Sequence, residues 1–230
     1  MIRDDAGGLV TDGVRLLFRT GDGYARLEGD RISEVPASDY LNARFGGHGK
    51  AFASSGLDTH SVAIGDASVY ACFYQRSVLE EFDLNGRKIA ERAPSFFHWG
   101  AVYDIALDAG GHLWYAAPTA HYVGKVDITT GAEIIGLGGT WDPDDRDTSP
   151  FDHPESVSVS GDYLYVADMG NQRVCRVHIP TNSLDLDYIR FPPDHRTWEY
   201  CQVEGREFVG VTTDHQRNGR IYEVTPNGAA

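Results

Sequence analysis

Basic charge is scarce in this chain: 20 lysines and arginines stand against 34 aspartates and glutamates, a formal charge of −14. Nucleic acid and anionic membrane both select a basic face, so neither is an expected partner. Cysteine is scarcer still. Cys72, Cys175 and Cys201 are an odd number at wide spacing, which argues against a disulfide framework or a zinc knuckle. Three buried thiols in a reducing compartment are expected instead. No apolar run approaches the ~20 residues of a membrane span. The opening MIRDDAGG carries no basic-then-apolar signal segment. A cytoplasmic, soluble protein is the expectation. A Gly-rich phosphate cradle and a G-x-S-x-G elbow are both missing, which removes two common routes to catalysis.

What is present is a repeat. Five segments align as second strands: LLFRT from Leu16, VYACFY from Val69, LWYAAP from Leu113, LYVADM from Leu164 and FVGVTT from Phe208. They lie about 44–53 residues apart, and each is flanked by short alternating stretches that end in Gly, Asp or Asn. Four strands per unit at that period predict an all-β fold, a β-propeller of four-stranded antiparallel blades. Five blades are favoured, with a six-bladed ring as the alternative because the linkers 37–59 and 140–152 are long. The fifth unit stops after three strands, so Met1–Asp5 are the candidate for its missing outer strand. An aromatic fraction of 11% and a hydrophobic fraction of 41% suffice for a core, and one domain over 1–230 is the simplest count.

Aligning the inner strands places Gly7, His60, Tyr103, Glu155 and Glu199 at one recurring position. A shared register would set these side chains in a ring at one mouth of the central channel. His60, Glu155 and Glu199 could then hold a divalent metal (zinc, iron, manganese or calcium). Tyr103, His153 and His60 are the candidate catalytic residues, with Tyr103 or His153 moving a proton. The competing reading is that polar residues ring a wet channel with no ion. Trp198, Tyr200, Phe96, Phe97, Trp99 and Trp141 fall in segments leading to the mouth, where they would suit a small organic ligand or pack blade against blade.

Other polar groups read first as structure. Asp168 and Asn171 can bond backbone amides of their turn, with Gly170 supplying an unusual φ. Arg173 is expected to pair with a neighbouring blade. The acidic run Asp142, Asp144, Asp145 and Asp147 lacks the Gly and closing Glu of an EF-hand and reads as a solvated loop.

The stretch Phe151–Val177 carries Pro154 before an inner strand, then Tyr165-Val166-Ala167-Asp168 and Gly170-Asn171-Gln172-Arg173-Val174. It resembles an NHL repeat. Propellers of that kind include the peptide-amidating lyase, lactonase and streptogramin lyase families. The resemblance implies a divalent ion at the channel mouth, and in the amidating lyases zinc is held by histidines before inner strands. His60 in THSVAI fits such a ligand, whereas Tyr103 and Glu155 occupy that place in the third and fourth units. It implies a small-molecule enzyme, a metal-assisted lyase, hydrolase or cyclase. The alternative is a non-catalytic ligand- or protein-binding module, which an exposed apolar patch would favour.

Overall fold

The computed structural model describes residues 7–11, 14–47, 50, 52, 61–73, 76–92, 102–138, 149–213, 218–225 and 228–229. Alternating apolar residues punctuated by turn-formers give twenty strands in five four-stranded antiparallel sheets. The first blade is β1 (Gly7–Thr11), β2 (Leu16–Thr20), β3 (Gly23–Glu28) and β4 (Arg31–Val35). The second is β5 (Ser61–Ile64), β6 (Ser68–Phe73), β7 (Arg76–Asp83) and β8 (Lys88–Arg92). The third is β9 (Asp104–Leu107), β10 (Leu113–Ala117), β11 (Tyr122–Val126) and β12 (Glu133–Gly138). The fourth is β13 (Pro154–Ser160), β14 (Tyr163–Asp168), β15 (Arg173–His178) and β16 (Ser183–Arg190). The fifth is β17 (Arg196–Val203), β18 (Arg206–Thr213), β19 (Asn218–Thr225) and β20 (Gly228–Ala229). Each blade takes four consecutive strands, and β5–β9–β13–β17–β1 are neighbours at the centre. The arrangement is a five-bladed β-propeller.

Burial follows position in the blade. β10 is buried at all five residues because neighbouring blades cover both its faces. The outer strand β16 alternates exposed and half-buried residues over its first six positions. The turn from β17 to β18 uses Glu204 (φ 50°) and Gly205 (φ 78°), the left-handed pair a tight hairpin requires. Cys72, Cys175 and Cys201 are free and buried, as expected of structural thiols; burial holds the Cys201 thiol at about 12.

Four of the five seams are direct. Leu113 and Tyr115 pack on Ala63 and Cys72 between blades two and three; Trp114 and Val123 pack on Phe151 and Val157 between three and four. Tyr165 and Val174 meet Tyr200 and Val209 between four and five. Leu16 and Phe18 meet Cys201, Phe208 and Ile221 between one and five.

The remaining seam contains a helix. α1 (Ala37–Arg44) follows Pro36 and ends before Gly46 and Gly47, whose φ values of 57° and 89° are left-handed. Its Tyr40 and Ala43 pack against Leu17 and Val10 of the first blade. Phe45 and Phe52 stack at 4.5 Å and close the core of the second blade with Val69, Ala71 and Phe82. The described part of the long linker 37–59 therefore supplies a wedge, not a sixth blade.

One further expectation changes. The outer strand of the fifth blade is Gly228–Ala229, paired antiparallel with β19. Met1–Asp5, assigned that place from sequence, lie outside the described residues. Among the described residues no helix is long and apolar enough to cross a membrane.

Candidate functional site

A cavity of about 1610 Å³ occupies the centre and runs toward α1. All five inner strands contribute to its wall. Tyr103, Glu155 and Glu199 line it, as the sequence alignment predicts, and so do Trp198 and Tyr200. His153 is absent from that lining and belongs to a separate cluster. His60 lies outside the described residues, as do Phe96, Phe97, Trp99, Trp141 and the acidic run 142–147.

The shared register behind that alignment does not hold. Facing the fourth residue of each aligned segment (Arg19, Cys72, Ala116, Ala167 and Val211) are Gly7, Ser61, Asp104, Ser156 and Thr197. Register shifts in β1, β13 and β17 break the period-two rule at the channel end of the inner strand. Glu155 falls in the irregularity between Pro154 and Ser156, and Glu199 follows the one after Thr197. Bulges of this kind re-aim side chains, and they do so here into the cavity.

In the third blade the site residue that sequence reasoning missed is Asp104, next to Tyr103. Its Oδ1 accepts from the Ser61 hydroxyl and from the Ile105 amide at 3.0 Å; its Oδ2 accepts from the Val157 amide at 2.9 Å. One carboxylate thus ties β9 to β5 and β13. Glu199 does the same for β17 and β1, accepting from the Leu9 amide at 2.7 Å. The amides on the free edge of an inner strand need acceptors, and these acids supply them.

Burial pushes the Asp104 carboxyl up to about 7 against the pull of its hydrogen bonds; the charge of Glu199 adds to the rise. Burial, and then the charge of Asp104, pushes Glu155 up to about 7 as well. The two titrate over one range and share their apparent values. They differ in freedom: no described residue hydrogen-bonds the Glu155 carboxylate. α1 brings Tyr40 to the same wall, where burial, and then Glu199, raises its hydroxyl to about 12.

His60, expected to share a metal with Glu155 and Glu199, lies outside the described residues. Among the described residues, His121, Asp152 and His153 are the one set offering three ligand atoms within 4.8 Å of one another. Glu155 and Glu199 meet no third described ligand in that way.

The turn ADMGNQRV performs the structural role expected of it, by different means. Asp168 is fully buried and accepts from the Asp152 amide (2.7 Å), Asn171 (2.9 Å) and Arg173 Nε (2.8 Å). The left-handed residue is Gln172 (φ 51°), not Gly170. Gly170 is required because a Cβ there would stand 2.4 Å from the Asp152 carboxylate. Arg173 pairs within its own blade, with Asp168 and Asp187, instead of with a neighbour.

Residues 153–174 match the LVIVD repeat model, within the stretch whose residues resemble an NHL repeat. No curated protein sequence matches the chain. The fold is similar to that of a streptogramin B lyase, with a TM-score of 0.50 and 13% identity over 99% of this chain and 72% of the other. A virginiamycin B lyase from Staphylococcus aureus gives 0.50 and 14% over 97% and 71%. A protein of unknown function from Bacteroides caccae gives 0.55 and 12% over 98% and 80%. At these identities the likeness is one of fold.

Proposed function

We propose that this propeller is a small-molecule lyase or hydrolase and that Glu155 is its proton-transfer group. The observation that carries the reading is the Glu155 carboxyl: aimed by a bulge into the central cavity, bonded to no described residue, and raised to about 7. A carboxylate at that value accepts a proton effectively near neutrality. Asp104 supplies the neighbouring charge, and both its oxygens are engaged by the scaffold. Tyr103 lines the same cavity and is the candidate donor to a leaving oxygen. Trp198 and Tyr200 give the wall an aromatic part suited to an organic substrate. No step is routed through a metal: His60, the third ligand expected beside Glu155 and Glu199, lies outside the described residues. Among the described residues the exposed large apolar side chains, Val14, Ile32, Ile89 and Ile134, lie on separate segments and offer the binding-module reading little support.

Virginiamycin B and a panel of small lactones are suitable first probes, followed by mass spectrometry. Hydrolysis adds the mass of one water; an elimination that opens a ring adds nothing. The expected result is turnover that rises with pH through about 7 and is lost in Glu155→Gln. Turnover that survives this substitution, or a rate flat from acid to alkaline pH, sinks the assignment.

A further inference from the structure

We infer a binding site for a divalent transition metal of the zinc class at His121, Asp152 and His153. None of the three lines the central cavity, so the inference stands apart from the acid–base reading. His121 ends the 3-10 turn Pro118–Ala120 between β10 and β11; Asp152 and His153 lead into β13. The site therefore bridges the third and fourth blades.

The three side chains form a hydrogen-bonded set near the spacing of an ion's ligands: the His153 ring bonds Asp152, and the His153 amide donates to His121 Nδ1 at 3.2 Å, a bond that an ion at that nitrogen would replace. Asp152 Oδ1 stands 3.1 Å from His121 Nδ1 and 2.8 Å from His153 Nδ1. Ligands about 2.0–2.1 Å from zinc in a tetrahedron are about 3.3 Å apart, so these atoms need separate by only tenths of an ångström. The rings meet edge to face with centroids 4.5 Å apart. Two imidazoles and a carboxylate suit zinc or its transition-metal neighbours; calcium and magnesium prefer oxygen alone.

The surroundings hold the carboxylate in place. The Asp152 amide donates to Asp168, and its carbonyl accepts from the Gly170 amide at 2.7 Å. The missing side chain of Gly170 leaves the room that the carboxylate fills. The counterpart of His121 in the fourth blade is Gln172, which has the same left-handed backbone after the same kind of turn. The fold thus accounts for the conformation at 121, and ligation accounts for the imidazole. Asp152 and His153 side chains are 46% and 35% exposed, whereas His121 is 4% exposed, which leaves an open side for entry.

The test is cobalt(II) titration of the chelator-stripped full chain, read by visible absorption, with zinc competition and thermal melting alongside. One equivalent should bind, zinc should displace it, and zinc should raise the melting temperature. Affinity should fall by more than about 100-fold in Asp152→Asn and in His153→Gln, since losing a ligand costs more than losing a supporting group. Far-ultraviolet circular dichroism of each variant shows whether the fold persists. His60→Ala and Glu155→Gln should retain the cobalt spectrum. Absence of saturable binding overturns the inference. So does binding that survives both ligand substitutions, or that disappears with His60→Ala, which would place the ion in the channel.

Discussion

The seam between blades three and four and the seam between blades one and two solve the same problem differently. In the former, two sheets meet directly: Trp114 and Val123 interlock with Phe151, Val157 and Leu164. Its polar contacts are fixed through Asp168, which orders Asp152 and Arg173. In the latter, α1 fills the space, with Tyr40 and Ala43 on one side and Phe45 on the other. The difference teaches where a propeller of this size can afford function. Direct packing leaves that seam only the small His121–Asp152–His153 cluster, whereas the wedge lets the cavity reach outward and lends it Tyr40.

The largest effect expected from disturbing this contrast is at the direct seam. Asp168→Ala removes the acceptor of Arg173 Nε, leaving the buried guanidinium only Asp187 and the Pro150 carbonyl, and strips the Asp152 amide of its acceptor; it should cost about 3 kcal/mol in chemical denaturation. Phe45→Ala attacks the wedge. It removes a stacked ring from a closed core, and a loss of about 3 kcal/mol is expected, together with enlargement of the cavity. A much smaller loss for Phe45→Ala would show that the helix is a cover, not a structural part of the ring. The third effect is smaller and depends on pH. A carboxyl whose folded value is raised binds its proton more tightly in the folded chain. Glu155 therefore weakens the fold progressively as pH climbs from about 4 to about 7, and the full penalty applies above that. Glu155→Gln should stabilise by about 1–3 kcal/mol at pH 8 and change little near pH 4. A gain of the same size at both values would remove ionisation as its cause.

The repeat itself was legible, because a second strand buried on both faces is apolar along its length, as in LWYAA and LYVA. The wedge was also written in the chain: Pro36 before it, Asp39 in its first turn, Arg44 in its last, and Gly46-Gly47 beyond. Reading the linker as a possible hidden blade passed over those marks. The carboxylates Glu155 and Glu199 were found where a strict alternation would have misplaced them, since bulges leave no periodic trace. Asp104 was passed over for its neighbour Tyr103 because the inner strand of that blade is displaced by one residue from the alignment. The pairing of His121 with Asp152 and His153 joins residues over 30 positions apart across a seam, and no local spacing announces it.

The contiguity of each blade has a consequence for how the chain folds. Every strand pair joins neighbours in sequence, so all the sheet hydrogen bonds can form as short hairpins with little loop-closure entropy. The exception is the junction of the first and fifth blades, where Leu9 meets Glu199 across 190 residues. Closing that ring is the step with the longest loop, and the interactions there set how long the assembled blades wait before the circle shuts.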